Sequence, residues 1–185
     1  MVGSAIDKAI ESGQKYGWGL ILIYPDDLRT FLLHLASKFG RIRVLDVGAW
    51  KCHLYYWIKE KVGINFDYVG IDIVDLPDRF KEPEFYVMSP TYLLFPASSF
   101  HAVIMLETLE HIYDYTLALR EAYRVLVPGG GIFIQSVICY DKCAILDETH
   151  MHVLHPVTLE RLLRHIGFKD IKWKKNGTFC IWGFK

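Results

Sequence analysis

The sequence has no excess of charge of either sign. Lys and Arg together number 21, and Asp and Glu together also number 21. Proteins that bind nucleic acid or an anionic membrane surface need a surplus of positive charge, so the composition favours neither partner. The densest local group of basic residues is interpreted as a solvated strand surface; it consists of Lys169, Lys172, Lys174 and Lys175.

Marks of export and of membrane insertion are also missing. The four cysteines form no paired framework, which favours reduced thiols. The first residues contain no basic segment followed by an apolar one, as a signal peptide would. The longest apolar stretch near the start, residues 20–24, is too short to cross a bilayer. We therefore expect a cytoplasmic protein.

Nothing in the chain resembles a repeat or a Pro/Gly/Ser-rich linker, and 185 residues suit a single domain. Residues 1–40 are predicted to form two helices, the second beginning at Pro25-Asp26-Asp27, and residues 41–185 a Rossmann-like core. In that core five short apolar runs alternate with helical stretches, which is typical of parallel strands covered on both faces. The runs are residues 43–48, 68–73, 85–88, 102–106 and 132–134.

The last two strand-like runs, residues 168–173 and 178–184, have no helix between them. Asn176-Gly177 joins them and is typical of a tight hairpin. The sequence therefore predicts an α/β fold, a three-layer αβα sandwich whose seven-stranded sheet is parallel except for the last strand. A nicotinamide-dependent oxidoreductase is a weak alternative, because no Gly-x-Gly-x-x-Gly follows the first strand and the hairpin is wrong for that class.

Polar residues stand at the carboxyl ends of four successive predicted strands. Asp46 and Gly48 follow the first, Asp72 the second, Ser89 the third and Glu107 the fourth. Ligands of open α/β sheets bind beyond these ends, and an acid after the second strand commonly binds ribose. One such acid alone is most simply a helix cap or a solvated loop residue. Four polar ends in succession favour a ligand site.

Six segments in this order resemble class I S-adenosylmethionine (SAM)-dependent methyltransferases of the type 11-like group. They cover most of the chain, from about Arg43 to Phe168. They are Val44-Leu45-Asp46-Val47-Gly48, Tyr68-Val69-Gly70-Ile71-Asp72, Ser98-Ser99-Phe100-His101-Ala102-Val103-Ile104, Leu109-Glu110-His111, Arg124-Val125-Leu126-Val127-Pro128-Gly129-Gly130 and residues 152–168.

This resemblance implies SAM as the cofactor and a methyl acceptor, either a small molecule or a macromolecule, as the partner. It also implies which residues meet each part of the cofactor. They are Asp46, Gly48 and Ala49 at the methionine end, Asp72 at the ribose, Ile73 and Ser89 at the adenine, and Leu106 beside the amino group and the methyl.

Two residues are candidates for a general base, which this chemistry can also do without because positioning supplies much of the rate. His111 is the first, since imidazole titrates near neutrality, and Glu107 is the second. The alternative for His111 is a histidine at a helix start that bonds to the backbone.

The chain departs from the family pattern at four positions. Trp50 and Cys52 stand where the family usually has glycine, Ser89 replaces an acid that contacts adenine, and His101 replaces the acid of a Ser-Phe-Asp motif. Glycine lets a backbone approach a ligand closely and adopt a positive φ. The main alternative to a methyltransferase is therefore a non-catalytic or degenerate binding protein on the same scaffold.

A late segment is rich in residues that can bind metal. Within seventeen positions it contains Cys139, Cys143, Glu148, His150, His152 and His155. His-x-His is a zinc-ligand spacing, but nothing after the cysteine pair completes a zinc knuckle. We expect no metal, and predict that this loop covers the active site and lines the acceptor pocket. Aromatic residues outside the strands are predicted to pack over the core; they are Tyr16, Trp18, Tyr113, Tyr115 and Tyr140.

Overall fold

The computed structural model of the chain describes residues 26–185. The predicted first helix, Tyr16 and Trp18 lie outside these residues. The helices are α1 (Asp26–Phe39), α2 (His53–Trp57), α3 (Tyr115–Val125), α4 (Lys142–Leu146) and α5 (Pro156–Ile166), with a π-helical turn at Ile58–Val62 and a 3₁₀ turn at Leu109–His111. The strands are β1 (Ile42–Val47), β2 (Phe66–Asp72), β3 (Glu84–Val87), β4 (Phe100–Leu106), β5 (Leu126–Ser136), β6 (Lys169–Asn176) and β7 (Thr178–Phe184).

All seven strands form one sheet in the order β3-β2-β1-β4-β5-β7-β6. Neighbouring strands from β3 to β5 pair in parallel, whereas β7 pairs antiparallel with both β5 and β6. Among the described strands, β7 is thus the one that runs against the others. The predicted α/β fold with an antiparallel last strand is confirmed.

Helices cover both faces of the sheet, as the continuous apolar strands require. Alternate residues of one strand point to opposite faces, and in β1 Val44 packs with α1 and α2 while Leu45 packs with α3 and α5. Helix α1 begins with Asp26 and Asp27, whose charges suit a helix N-terminus, and buries one apolar face on the sheet. The described residues therefore form the predicted three layers.

Two element boundaries differ from those predicted. The Pro128-Gly129-Gly130-Gly131 segment lies inside β5 rather than in a turn before it, and Gly129 N–H donates to the Lys185 carbonyl at 2.9 Å. Helix α5 begins at Pro156, two residues before the predicted Thr158. Its early start has a local cause, because the His155 ring accepts a hydrogen bond from Val157 N–H at 3.1 Å.

The strand order reverses between β1 and β4, and this reversal places the site. Val47 at the end of β1 lies opposite Ile71 of β2 and Met105 of β4. The residues that follow these three therefore meet at one edge of the sheet, where open α/β sheets bind their ligands. Of the described helices, none is long and apolar enough to cross a membrane.

Strand β6 forms one edge of the sheet and carries the basic group predicted at the chain's end. Lys172, Lys174 and Lys175 are exposed, and Lys174 forms an ion pair of 2.6 Å with Asp27. These lysines thus lie on a solvated strand, as interpreted from the sequence.

Candidate functional site

A cavity of about 750 Å³ opens at the reversal between β1 and β4, within the range typical of small-molecule sites. All seven residues assigned to the cofactor line it, as do both candidate bases. Those nine residues are Asp46, Gly48, Ala49, Asp72, Ile73, Ser89, Leu106, Glu107 and His111. The structure thus brings together every site residue predicted from the sequence.

The turn after β1 has the backbone of a glycine-rich turn, although two of its residues are not glycine. Gly48, Trp50 and Cys52 have φ angles of 76°, 46° and 63°. A Cβ on Gly48 would lie 2.3 Å from Thr108 Oγ1, so only glycine fits there. A left-handed conformation costs a non-glycine residue about 1–2 kcal/mol. The chain therefore keeps the shape of the turn at Trp50 and Cys52 despite a conformational cost.

The indole of Trp50 lies in the wall of the cavity. Its ring centre is 5.3 Å from that of His53, and Lys51 Nζ is 4.8 Å from the indole centre. The volume of about 750 Å³ is present with the indole in this place. Trp50 therefore bounds the cavity and leaves it open.

His53 is a cavity residue that the sequence reasoning missed. Both ring nitrogens are buried and have no hydrogen-bond partner among the described residues. Burial, followed by the charge of Lys51, lowers the pKa of His53 to about 4, so the ring is neutral. A buried polar group without a partner is costly, and a polar ligand end in this cavity would supply the missing bond. The one feature of the sequence that could have indicated His53 as a cavity residue is its position directly after the glycine-like turn.

Asp72 connects the turn to the end of β2. Its Oδ2 accepts a hydrogen bond from Trp50 N–H at 2.9 Å, and its Oδ1 accepts one from Val74 N–H at 3.4 Å. Each carboxylate oxygen can accept a second bond, so the side chain keeps capacity for a ligand hydroxyl. Next to it the apolar Ile73 and Val74 are 70% and 52% exposed. An acid beside an uncovered apolar rim suits a nucleoside.

Asp46 is a buried carboxyl group at the end of β1. It accepts a hydrogen bond of 2.6 Å from the Tyr68 hydroxyl. Burial raises the pKa of Asp46 to about 7; the Tyr68 bond opposes this rise, and the charge of Asp72 adds to it. A cationic ligand group nearby would favour the ionised form.

The half-buried Glu107 and the buried Glu110 form an acidic pair after β4. Glu107 has a φ of 46° and accepts a hydrogen bond of 2.9 Å from Gln135 Nε2. Burial and then the charge of Glu110 raise the pKa of Glu107 well above its usual range. Burial also raises the pKa of Glu110, which is completely buried. Ser136 Oγ donates to Glu110 Oε2 at 3.0 Å, whereas Oε1 has no partner among the described residues.

His111 bonds to the backbone and also lines the cavity. The interpretation as a backbone-bonded histidine is therefore compatible with the interpretation as a candidate base. His111 Nδ1 lies 3.0 Å from the Thr149 carbonyl. Because a carbonyl oxygen can only accept, Nδ1 carries the proton and Nε2 keeps its lone pair. The ring centre of His150 lies 4.8 Å from that of His111.

The loop of residues 137–155 contacts the site but does not line the cavity. Met151 and His152 donate backbone hydrogen bonds of 2.8 and 3.1 Å to the Glu110 carbonyl. None of the described residues of this loop belongs to the cavity wall. The loop contacts Glu110 and His111, and the prediction that it covers the active site and lines the acceptor pocket stays a prediction.

Several other residues singled out in the sequence differ in their surroundings. Tyr113 and Tyr140 are 84% and 64% exposed, so their predicted packing over the core is wrong, whereas Tyr115 does pack against the core. His152 bonds to the Tyr113 carbonyl at 2.8 Å. His101 accepts a hydrogen bond of 2.9 Å from Arg43 N–H at the amino end of β4, away from the cavity.

A seven-stranded Rossmann-like sheet with antiparallel β7, and a cavity where β1 and β4 diverge, together define the class of SAM-dependent methyltransferase folds. A family model described as a methyltransferase domain matches residues 23–172, and the chain belongs to this family. SAM is the cofactor that membership implies. No curated protein matches the chain.

Solved structures share the fold at low sequence identity. A SAM-dependent methyltransferase from Archaeoglobus fulgidus is 20% identical, with a TM-score of 0.67 over 86% of this chain and 94% of that one. One from Thermotoga maritima is 16% identical, with a TM-score of 0.66 over 94% and 96%. The cyclase SpnF is 22% identical, with a TM-score of 0.60 over 79% and 58%. Such likenesses establish the fold alone.

The residues present fit SAM. Gly48 provides the positive-φ backbone of the turn, Asp72 lines the cavity where the resemblance expects the ribose, and His53 offers an unpartnered polar group. The substituted turn residues keep the required backbone. None of the described side chains fills the space between them.

Proposed function

We propose that this protein transfers a methyl group from SAM to an acceptor that enters beside Glu107 and His111. The observation that carries the proposal is the single cavity wall shared by the nine predicted site residues. SAM supplies an electrophilic methyl on a sulfonium. The chain's own residues bind and orient the two substrates and accept the acceptor's proton.

Binding falls to the ends of β1, β2 and β4. The ionised form of Asp46 and the backbone at Gly48 and Ala49 receive the charged methionine end. Asp72 accepts hydrogen bonds from the ribose hydroxyls. Ile73 and Ser89, which both line the cavity, flank the adenine, and burial of the exposed Ile73 side chain there removes apolar surface from water.

Two residues beside Leu106 can take a proton from the acceptor. The lone pair on His111 Nε2 is available, because Nδ1 is engaged with the Thr149 carbonyl. Glu107 lies in the same wall, held by Gln135, and its ionised form can accept a proton. Both would act by accepting a proton as the acceptor attacks the methyl. The acceptor is a small molecule or a macromolecule, and the exposed Tyr113 at the cavity mouth can contact it.

A second candidate is a non-catalytic protein that binds a ligand on the same scaffold. The side chains at Trp50 and Cys52, where glycine is usual, favour it. We also propose a cytoplasmic location, which is supported by free thiols at Cys52, Cys139 and Cys180.

Calorimetric titration with SAM, its demethylated product and NAD tests these functions together. The methyltransferase proposal expects binding of the first two ligands and no heat from NAD. Tight binding of the demethylated product without turnover on a panel of methyl acceptors would favour the non-catalytic protein. Binding of NAD alone would refute both.

A further inference from the structure

Three side chains beside the cofactor cavity form a group with the donor atoms of a metal site. Glu110, His111 and His150 each offer one ligand atom, and these atoms lie within 4.8 Å of one another. Two ligands of one zinc-sized ion, each about 2.1 Å from it, are at most about 4.2 Å apart. Three ligands around one such ion lie about 3.5 Å apart, so side-chain shifts of about 1 Å would bring all three onto one ion.

Both histidines are oriented as metal ligands usually are. His111 Nδ1 lies 3.0 Å from the Thr149 carbonyl, and His150 Nδ1 lies 2.7 Å from the Ala144 carbonyl. Each carbonyl can only accept, so the proton resides on Nδ1 and the lone pair on Nε2. A backbone carbonyl that fixes the tautomer and direction of a ring in this way is the common outer partner of metal-bound histidine.

Glu110 provides a second and independent observation. Its side chain is completely buried, and one oxygen accepts a hydrogen bond from Ser136 Oγ at 3.0 Å. The other oxygen, Oε1, has no hydrogen-bond partner by geometry among the described residues, and the neighbouring Glu107 carboxyl interacts with the Glu110 side chain. An unpartnered carboxylate oxygen inside a protein is strongly unfavourable, and a cation between Glu110 and the two rings would satisfy it.

A second acid adds negative charge beside His150. Asp147 Oδ2 lies 3.8 Å from His150 Nε2, and Thr149 orients this carboxylate through bonds of 2.9 and 2.7 Å to Asp147 Oδ1. The His150 ring thus has the carboxylates of both Glu110 and Asp147 near it. That arrangement favours a cation over a neutral or anionic ligand.

We propose that Glu110, His111 and His150 bind a divalent first-row transition metal ion beside the cofactor cavity, to whose wall His111 belongs. Two imidazoles with one carboxylate suit Mn²⁺, Fe²⁺, Co²⁺ or Zn²⁺ better than the all-oxygen preference of Mg²⁺ or Ca²⁺. This departs from the expectation of a metal-free site, which rested on Cys139, Cys143 and the other late residues. His150 alone of that late segment takes part.

The position of the ion indicates what it would do, and this step rests on the proposed methyl transfer. An ion with three protein ligands keeps open coordination positions. Because His111 lines the cavity, these positions face the space left for the acceptor. They would hold an oxygen donor, so the acceptor class is a hydroxyl compound. His111 then serves as a ligand, and Glu107 remains as the base.

Cobalt titration of the full chain tests the site without using activity. The protein is first treated with a chelator, and Co²⁺ is then added while the visible absorption of protein-bound cobalt is followed. We expect one Co²⁺ per chain, with affinity at least about tenfold weaker in Glu110→Gln and in His150→Gln. His152→Gln is the matched control, since His152 lies two positions away and bonds to the Tyr113 carbonyl, and it should bind like the parent.

The outcomes separate the metal from the methyl transfer. Absence of bound cobalt in the parent, or equal affinity in the parent and a folded His150→Gln, overturns the metal site. So does a loss in His152→Gln as large as that in His150→Gln. Calorimetry with SAM on the chelated protein is independent of these results. If the protein binds SAM but no cobalt, the proposed function stands and the metal site is refuted. If it binds cobalt but no SAM, the metal site stands and the proposed function is refuted.

Discussion

Replacing Asp46 with asparagine should change how the stability of the protein depends on pH. The pKa of Asp46 is raised from 3.8 to about 7 because the carboxyl is buried. Between these two values the folded protein holds a proton that the unfolded chain has lost. The free energy of unfolding therefore falls as the pH rises through this window, and the loss is complete above the folded pKa.

The magnitude follows from the two pKa values. When the two pKa values are used in the relation between proton binding and stability, the contribution of Asp46 to the free energy of unfolding falls by about 2.5 kcal/mol between about pH 5 and about pH 8. The asparagine side chain of the variant cannot ionise, and its oxygen can still accept the Tyr68 hydrogen bond. The difference in unfolding free energy between Asp46→Asn and the parent should therefore shift by about 2.5 kcal/mol in favour of the variant over that range.

Urea unfolding of parent and variant at the two pH values measures this difference. Tyr68→Phe is a control that keeps the Asp46 carboxyl but removes the hydrogen bond that lowers its pKa. In this variant the loss of stability should occur at higher pH than in the parent. Identical pH dependence in the parent and Asp46→Asn would refute the reasoning. The same variant should bind SAM more weakly near pH 8, since it lacks the charge that favours the cationic methionine end.

Three further predictions concern the cofactor turn. Asp72→Ala should weaken SAM binding by about 1.5–3 kcal/mol, the scale of bonds to a charged group; unchanged affinity in a calorimetric titration of the folded variant would contradict its assignment to the ribose. Gly48→Ala should lower the free energy of unfolding by clearly more than Gly63→Ala does. The loss expected for Gly63→Ala is about 1 kcal/mol. Both glycines have a positive φ, but only at Gly48 would a Cβ meet Thr108, so equal losses in denaturant unfolding would exclude that contact as the cause. Trp50→Gly should change SAM affinity by less than about tenfold, or 1.4 kcal/mol. Titration with SAM followed by tryptophan fluorescence measures this affinity, with Trp50→Phe as the control. Binding by Trp50→Gly but not by the parent would show that the indole blocks the site.

The strand directions and the cofactor wall could be predicted because their patterns are local. An apolar run that ends in Asp46, Asp72 or Glu107 indicates both a buried strand and its carboxyl end. Parallel pairing then places these ends together without further information. Asn176-Gly177 in the same way indicates the β6–β7 hairpin from two residues.

The grouping of Glu110 with His150 could not be predicted in this way. About forty positions separate them, and their contact depends on the loop of residues 137–155 returning to bond the Glu110 carbonyl. His53 was missed because its burial depends on Trp50 and Phe80 closing around the ring. The left-handed backbone at Cys52 has no sequence signature, since glycine is the residue that normally indicates it.

The lysines of β6 have a consequence for assembly. An edge strand presents unpaired N–H and C=O groups that could accept a strand from another molecule. A second copy approaching edge to edge would bring its own Lys172 and Lys175 to within about 5 Å, the spacing of paired strands, of the same residues here. Repulsion between these ammonium groups therefore disfavours an edge-to-edge extension of the sheet beyond β6.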